Sequence, residues 1–170
     1  MFRKMLFVIG SLAIVACGGG GDEHPLPVGA TLELNPTDIN WEIAPRGGIC
    51  NFDPAYYNDH LINLALTNKD GQPLGEVEVS LALDLSAATF TGPALLALYD
   101  DRNSNGVPED DEMLTSSDAA VVKVKTGRYD GARQLWLRVN LSCAYKGTLV
   151  AYAGPASASA NIEVVEREEE

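Results

Sequence analysis

The chain has 170 residues, 46% of them apolar and 21% charged, enough for one ordinary domain with some length to spare at the ends. Its 24 acidic residues outnumber the 12 basic ones, giving a formal net charge of −12. Binding a phosphate backbone needs a basic face, so nucleic acid is not an expected partner, whereas an acidic surface attracts cations.

The N-terminus reads MFRKMLFVIGSLAIVAC. Arg3 and Lys4 give it a positive start, and Met5 to Val15 form an apolar run of 11 residues interrupted only by Gly10 and Ser11. Spanning a bilayer takes about 20 apolar residues, so the run has the size of a secretory signal and not of a membrane helix. It ends in Ile14-Val15-Ala16-Cys17, which resembles the lipobox of bacterial lipoproteins: an aliphatic residue, a small or β-branched one, a small one, then cysteine. By this resemblance residues 1–16 are a signal peptide, and Cys17 is the acylated first residue of the mature chain, held to a membrane by its lipid. The alternative is an ordinary signal with a chance cysteine. Position 18 is Gly, where enteric lipoproteins kept at the inner membrane tend to carry Asp, so the resemblance favours the outer membrane of a bacterial cell envelope. Without Arg3 and Lys4, ten bases face 24 acids, a mature net charge of about −14. Residues 17–28 contain four consecutive glycines and no apolar period, and read as a flexible tether.

From residue 29 to 166 the apolar period is two, the mark of half-buried strands. Ile39, Trp41 and Ile43 share one face of INWEI, and Ile62, Leu64 and Leu66 share one face of LINLALT. Val77, Val79, Leu81 and Leu83 do so in EVEVSLAL, and Leu135, Leu137, Val139 and Leu141 in RQLWLRVNL. Further strands are expected at 30–35, 94–100, 119–126, 147–153 and 158–166. PALLALYD (93–100) reads as a buried strand, with a two-turn helix as the alternative. The turn signals NKDGQPLG, TGPA, KTGRYDG, YKG and AGPAS separate these runs. Residues 167–170 read as an acidic, solvated tail.

Seven to nine short strands at this spacing predict an all-β sandwich of the immunoglobulin kind. LALTNKDGQPLGEVEVSLAL and GTLVAYAGPASASANIEVV resemble a strand-turn-strand unit and the final hairpin of bacterial Ig-like repeats. The usual intersheet cysteine pair is not matched, and the middle, 85–130, is longer than such a repeat needs. With Cys17 taken by lipid, Cys50 and Cys143 remain, and outside the cytoplasm such a pair usually oxidises. A metal-binding or catalytic use would need a histidine partner, and only His24 and His60 exist. If the two cysteines occupy the connections expected of them, the bridge staples loops at one end of the sandwich and does not cross its core.

Residues 101–112, DRNSNGVPEDDE, match the spacing D-x-[DN]-x-[DN]-G-x5-E in full. Calcium takes six to eight hard oxygen ligands, which alternate side chains of a tightly curled loop can supply around a glycine. Pro108 stands where a true EF-hand pairs through its backbone, and flanking helices are not evident. The loop resembles the calcium loops of bacterial surface β-sandwich modules. By that resemblance the ligands are Asp101, Asn103, Asn105, the Val107 carbonyl, Glu109 and Glu112, and the ion, Ca²⁺, is structural. The alternative is an acidic turn.

Two further groups stand out. Asp53, Tyr56, Tyr57, Asp59 and His60 cluster in CNFDPAYYNDH, either as a loop packed beside the disulfide or as a tyrosine-rich ligand contact. Trp136 falls on the polar face of its strand beside Arg138, either covered by the long middle segment or exposed to a partner. There is no nucleophile elbow, phosphate loop, zinc pattern or paired-carboxylate motif, and an enzyme is not expected. The sequence therefore reads as a lipid-anchored binding or adhesion module whose partner is an envelope protein or a glycan. The alternative is a structural accessory lipoprotein of an envelope assembly such as a pilus, secretion machine or surface filament.

Overall fold

A computed structural model describes residues 25–45, 50–85, 95–103, 105–116 and 121–168. Residues 1–16, expected to be a signal peptide, Cys17 and the glycine run lie outside them. Among the described residues there are ten strands: β1 Thr31–Asn35, β2 Asp38–Ile43, β3 Tyr57–Thr67, β4 Glu78–Asp84, β5 Leu96–Asp100, β6 Met113–Ser116, β7 Val122–Lys125, β8 Ala132–Asn140, β9 Tyr145–Ala153 and β10 Ala156–Glu166. They form two five-stranded sheets, ordered β1-β3-β8-β5-β6 and β2-β10-β9-β4-β7. The protein is an all-β sandwich of the immunoglobulin kind.

Period-two alternation decides which faces meet. Ile62, Leu64, Leu66, Leu135, Leu137 and Val139 of the first sheet are fully buried. They face a second-sheet layer that includes Val79, Leu81, Leu149 and Ile162, buried to the same degree. β1 and β2 run on almost as one strand, but it changes sheets between Asn35 and Asp38: β1 pairs antiparallel with β3, and β2 pairs parallel with β10. At the β9–β10 hairpin Gly154 holds φ +51 ahead of Pro155, the chemistry of a tight two-residue turn. Gly131 has a stricter reason to be glycine. At φ +62 a Cβ would lie 2.6 Å from the Leu66 carbonyl oxygen and 2.7 Å from the Leu74 amide nitrogen, both backbone atoms.

The sequence expectation differs from the structure in three places. β6 is a tenth strand, only four residues long, too short to show a period. YKG, expected as a turn, lies inside β9, because the turn comes earlier, at Ser142–Ala144, and Tyr145–Gly147 pair with Val164–Ile162. The tail is not free from residue 167: the Arg167 amide donates to the Ile43 carbonyl at 2.8 Å and extends the β2–β10 pairing by one residue. Within 93–100 the structure agrees with the expected buried strand, which is β5, buried at all five positions, and not the alternative helix.

The disulfide forms between Cys50, in the β2–β3 connection, and Cys143, in the β8–β9 connection, with a Cα–Cα distance of 4.8 Å. Both connections pass from one sheet to the other at the same pole, so the bridge staples crossovers as expected. Beside it sits a polar network that the sequence did not reveal. The Asn140 side-chain amide donates to the Asn51 carbonyl at 2.9 Å, and the Asn51 amide donates to Ser142 Oγ at 2.7 Å. The Ser142 amide donates to Asn140 Oδ1 at 2.8 Å. Asn140 and Ser142 are fully buried, a position that polar groups hold only when hydrogen-bonded.

Candidate functional site

β5 delivers the acidic loop. Asp100 pairs with Leu135, Leu135 with Ile62, and Thr67 with Thr31, so the loop leaves the sandwich at the pole where β1 begins, opposite the disulfide. Asp100 itself is buried and is not part of the loop's interior. It accepts two hydrogen bonds from Arg133, Nε to Oδ1 at 2.6 Å and Nη2 to Oδ2 at 2.7 Å. That hydrogen bonding holds the Arg133 guanidinium above its ordinary pKa, against the opposing pull of burial.

The loop then curls on its own side chains. Asp101 Oδ1 accepts from the Asn105 amide at 3.1 Å, and Asp101 Oδ2 from the Gly106 amide at 3.1 Å. Asn103 Oδ1 accepts from the Asn105 amide at 2.9 Å, and Asn105 Oδ1 from the Val107 amide at 2.8 Å. Gly106, at φ +76, makes the reversal. The Asn103 side-chain amide donates to Glu109 Oε2 at 2.8 Å, which closes position 9 onto position 3. Val107 turns its side chain to solvent, 56% exposed, so only its carbonyl is available as a donor oxygen. After Pro108 a single 3₁₀ turn, Asp110–Glu112, brings the chain back to β6.

That turn places Glu112. Its side chain is 2% exposed, the most deeply buried carboxylate among the described residues. Oε1 accepts from the amides of Arg102 (2.9 Å) and Asn103 (3.3 Å), so the carboxylate faces the first half of the loop. Oε2 is buried and has no hydrogen-bond partner among the described residues. A buried carboxylate oxygen without a donor is costly, and such an atom calls for a specific explanation. A cation between Glu112 and the loop would supply one. The residue types fit a hard ion: carboxylate and amide oxygens, no sulfur, no imidazole. Asp101 Oδ1, Asn103 Oδ1 and Asn105 Oδ1, each bonded to one loop amide, keep a second lone pair. Among the described residues no three His, Cys, Asp or Glu side chains group closely enough to form a metal site by themselves. A site here would depend on Asn103, Asn105 and a carbonyl as well, a mixture that suits calcium and not zinc.

Of the tyrosine-rich group, Tyr57 and Asp59 line one hollow, and Asp53 and His60 do not join them. Asp53 caps a 3₁₀ turn at Pro54–Tyr56, its Oδ1 accepting from the Ala55 amide at 2.9 Å. His60 turns inward and meets Trp41 edge to face, with ring centroids 5.7 Å apart. Asp59 turns outward to Arg138, accepting from Nε at 2.7 Å and from Nη2 at 3.0 Å. Trp136 is partly buried, and its Nε1 reaches Asp101 Oδ2 at 3.4 Å, so the start of the acidic loop touches its edge.

No family model matches the chain, and no curated protein matches it. Solved structures share its general shape at low scores. A conjugative transposon lipoprotein from Bacteroides eggerthii is 9% identical, with a TM-score of 0.39 over 80% of this chain and 98% of that one. The PapD-like domain 7 of human CEP192 is 9% identical, with a TM-score of 0.37 over 93% and 99%. The CupB6 tip adhesin from Pseudomonas aeruginosa is 10% identical, with a TM-score of 0.36 over 78% of this chain and 41% of that one. At such scores and identities these likenesses assign no activity, ligand or partner to this chain.

Proposed function

We propose that the protein is a lipid-anchored, calcium-stabilised binding module of the bacterial cell envelope, held at the outer membrane by Cys17. The observation that carries the calcium part is Glu112 Oε2, a buried carboxylate oxygen with no partner among the described residues, in a loop whose other side-chain oxygens recur at Asp101, Asn103, Asn105 and Glu109. Asp101, Asn103, Asn105, the Val107 carbonyl, Glu109 and Glu112 would hold the ion. When bound, it neutralises carboxylates that otherwise repel one another and binds together the two ends of the loop. The role is structural, and the binding surface lies elsewhere on the sandwich.

A metal that binds only the folded state stabilises it by RT ln(1 + [L]/Kd), about 2.7 kcal/mol at a hundredfold excess over Kd. Loops of extracellular modules work at roughly 10⁻⁴ to 10⁻³ M, and the lack of a paired second loop sets this one at the weaker end. Millimolar Ca²⁺ is therefore expected to stabilise the domain by about 1 kcal/mol and to raise its melting temperature by a few degrees. Mg²⁺ should do less, because it demands a tighter octahedron. Glu112→Ala should abolish the response, since it removes up to two ligand oxygens and one charge. Equal shifts with the two ions, or a Glu112→Ala variant that still responds as wild type does, would leave only an acidic turn.

The anchor rests on Ile14 to Cys17. Cys17→Ser is expected to leave the protein unprocessed or soluble, read by membrane fractionation and by the mass of the mature N-terminus. A Cys17→Ser chain that still partitions with membranes as an acylated mature species would overturn the lipobox reading.

A further inference from the structure

The outer face of the first sheet carries a hollow that neither the anchor nor the loop uses. Its volume is about 360 Å³, at the small end of the range for ligand sites. The strand register explains why it exists. One row across the sheet runs Asp59, Arg138, Ala97. The adjacent row runs Leu61, Trp136, Tyr99, Met113. Ala97 is the small residue in a field of large ones, and the space its side chain does not fill is the hollow. Tyr57, Tyr99 and Met113 supply apolar wall, and Arg138 and Asp59 supply the polar end.

That polar end is fixed and charge-balanced. Arg138 binds Asp59 through Nε and Nη2 and donates from Nη1 to the Tyr99 hydroxyl at 3.1 Å, with its guanidinium 4.8 Å from the Tyr99 ring centroid. A guanidinium has five N–H groups, and these bonds use three. The Asp59 oxygens accept one hydrogen bond each from Arg138 and keep further lone pairs. Donors and acceptors therefore lie side by side at a partly exposed ion pair, 26% and 29% exposed, next to aromatic wall. The matched charges leave no net charge to attract an ion, and the chain's −12 opposes an anion. What fits is a small neutral molecule with one apolar face and adjacent hydroxyls that both donate and accept.

We infer that this hollow is a binding site for a neutral sugar residue, with Arg138 and Asp59 taking a pair of hydroxyls and Tyr57 and Met113 flanking the ring. The inference deepens the binding-module reading by naming its ligand class, and it does not depend on calcium or on the lipid.

The test is calorimetric titration of the purified protein with a panel of neutral hexose and N-acetylhexosamine disaccharides, each run in calcium and in EDTA. At least one neutral disaccharide should bind at micromolar to millimolar concentration, in EDTA as well as in calcium. Ala97→Leu fills the hollow from the position beside Arg138 and should weaken binding about tenfold or more, with melting curves of the variant showing that it is folded when titrated. Met113→Ala, at a position 51% exposed that the core does not need, should weaken it less. The inference fails if no disaccharide of the panel binds at millimolar concentration. It also fails if both variants bind as wild type does. The calcium reading is judged separately, by melting with and without the ion, so either can fail while the other stands.

Discussion

Replacing Cys50 and Cys143 together by alanine is expected to lower the free energy of unfolding by about 4 to 5 kcal/mol. The bridge joins residues 93 apart. In the chain-entropy view a cross-link over a loop of that length removes much of the freedom of the unfolded chain, and cutting it returns that freedom. Alanine is the informative choice because Cys143 is 1% exposed, and a serine there would add a buried hydroxyl beside the Asn51–Asn140–Ser142 network. Urea unfolding with and without reductant reads the effect. Reductant should move the wild-type midpoint toward that of the double variant and should leave the variant where it is. A difference under about 1 kcal/mol would mean that the unlinked chain is already constrained at this pole by other means.

The second large effect is expected at Asp100 and Arg133. Arg133→Met should cost about 2 to 3 kcal/mol, because it leaves a carboxylate 7% exposed without its two-point partner. Arg102 does not replace it: its Nε lies 3.8 Å from Asp100 Oδ2, and its side chain is 57% exposed. The estimate sits below that for a fully buried pair because the Arg133 side chain is 31% exposed and water screens part of the loss. Adding Asp100→Leu to Arg133→Met removes the stranded charge and should restore stability to within about 1 kcal/mol of wild type. The four proteins of this cycle, compared by urea unfolding, give a coupling of about 1 to 3 kcal/mol if the pair acts as a unit. Additive losses would refute that. Because the Arg133 pKa is raised, mainly by its hydrogen bonds to Asp100, the arginine's share of this stability is present below its unfolded-state pKa. It is lost only as pH rises through the higher folded-state value, beyond the range in which a protein is ordinarily studied.

The sequence was most legible where one face of a strand is buried and the other is wet. Val79, Leu81 and Leu83 in β4, or Leu135, Leu137 and Val139 in β8, announce both the element and its inward face. It was ambiguous at β5, where five consecutive buried residues carry no alternation and helix remained an alternative. It was silent at β6, which is too short for a period and exists because β5 offers it an edge to pair with. The same division holds for sites. The acidic loop is contiguous, so its register could be read from the string DRNSNGVPEDDE alone. That Glu112 would be buried with one oxygen unpartnered could not, since it depends on a 3₁₀ turn folding the loop's last residue under its first. The Asp59–Arg138–Tyr99 cluster draws on three strands spread over some 80 residues, from Asp59 to Arg138, and only the strand order makes them neighbours.

The parallel pairing of β2 with β10 also governs when this domain can fold. Asp38 lies beside Asn161, 123 residues further on, and β10 is at the same time the partner of β9. A chain that emerges from its N-terminus onward therefore presents β2 long before the strand that completes its sheet exists. Until then the edges of β2 and β9 are open for pairing with other chains. Contacts between such distant parts of a sequence make folding slow compared with that of helical domains of similar size. Folding can finish only after β10 has emerged, and a chain stopped before residue 156 would be left with two unpaired sheet edges in place of a nearly complete sandwich.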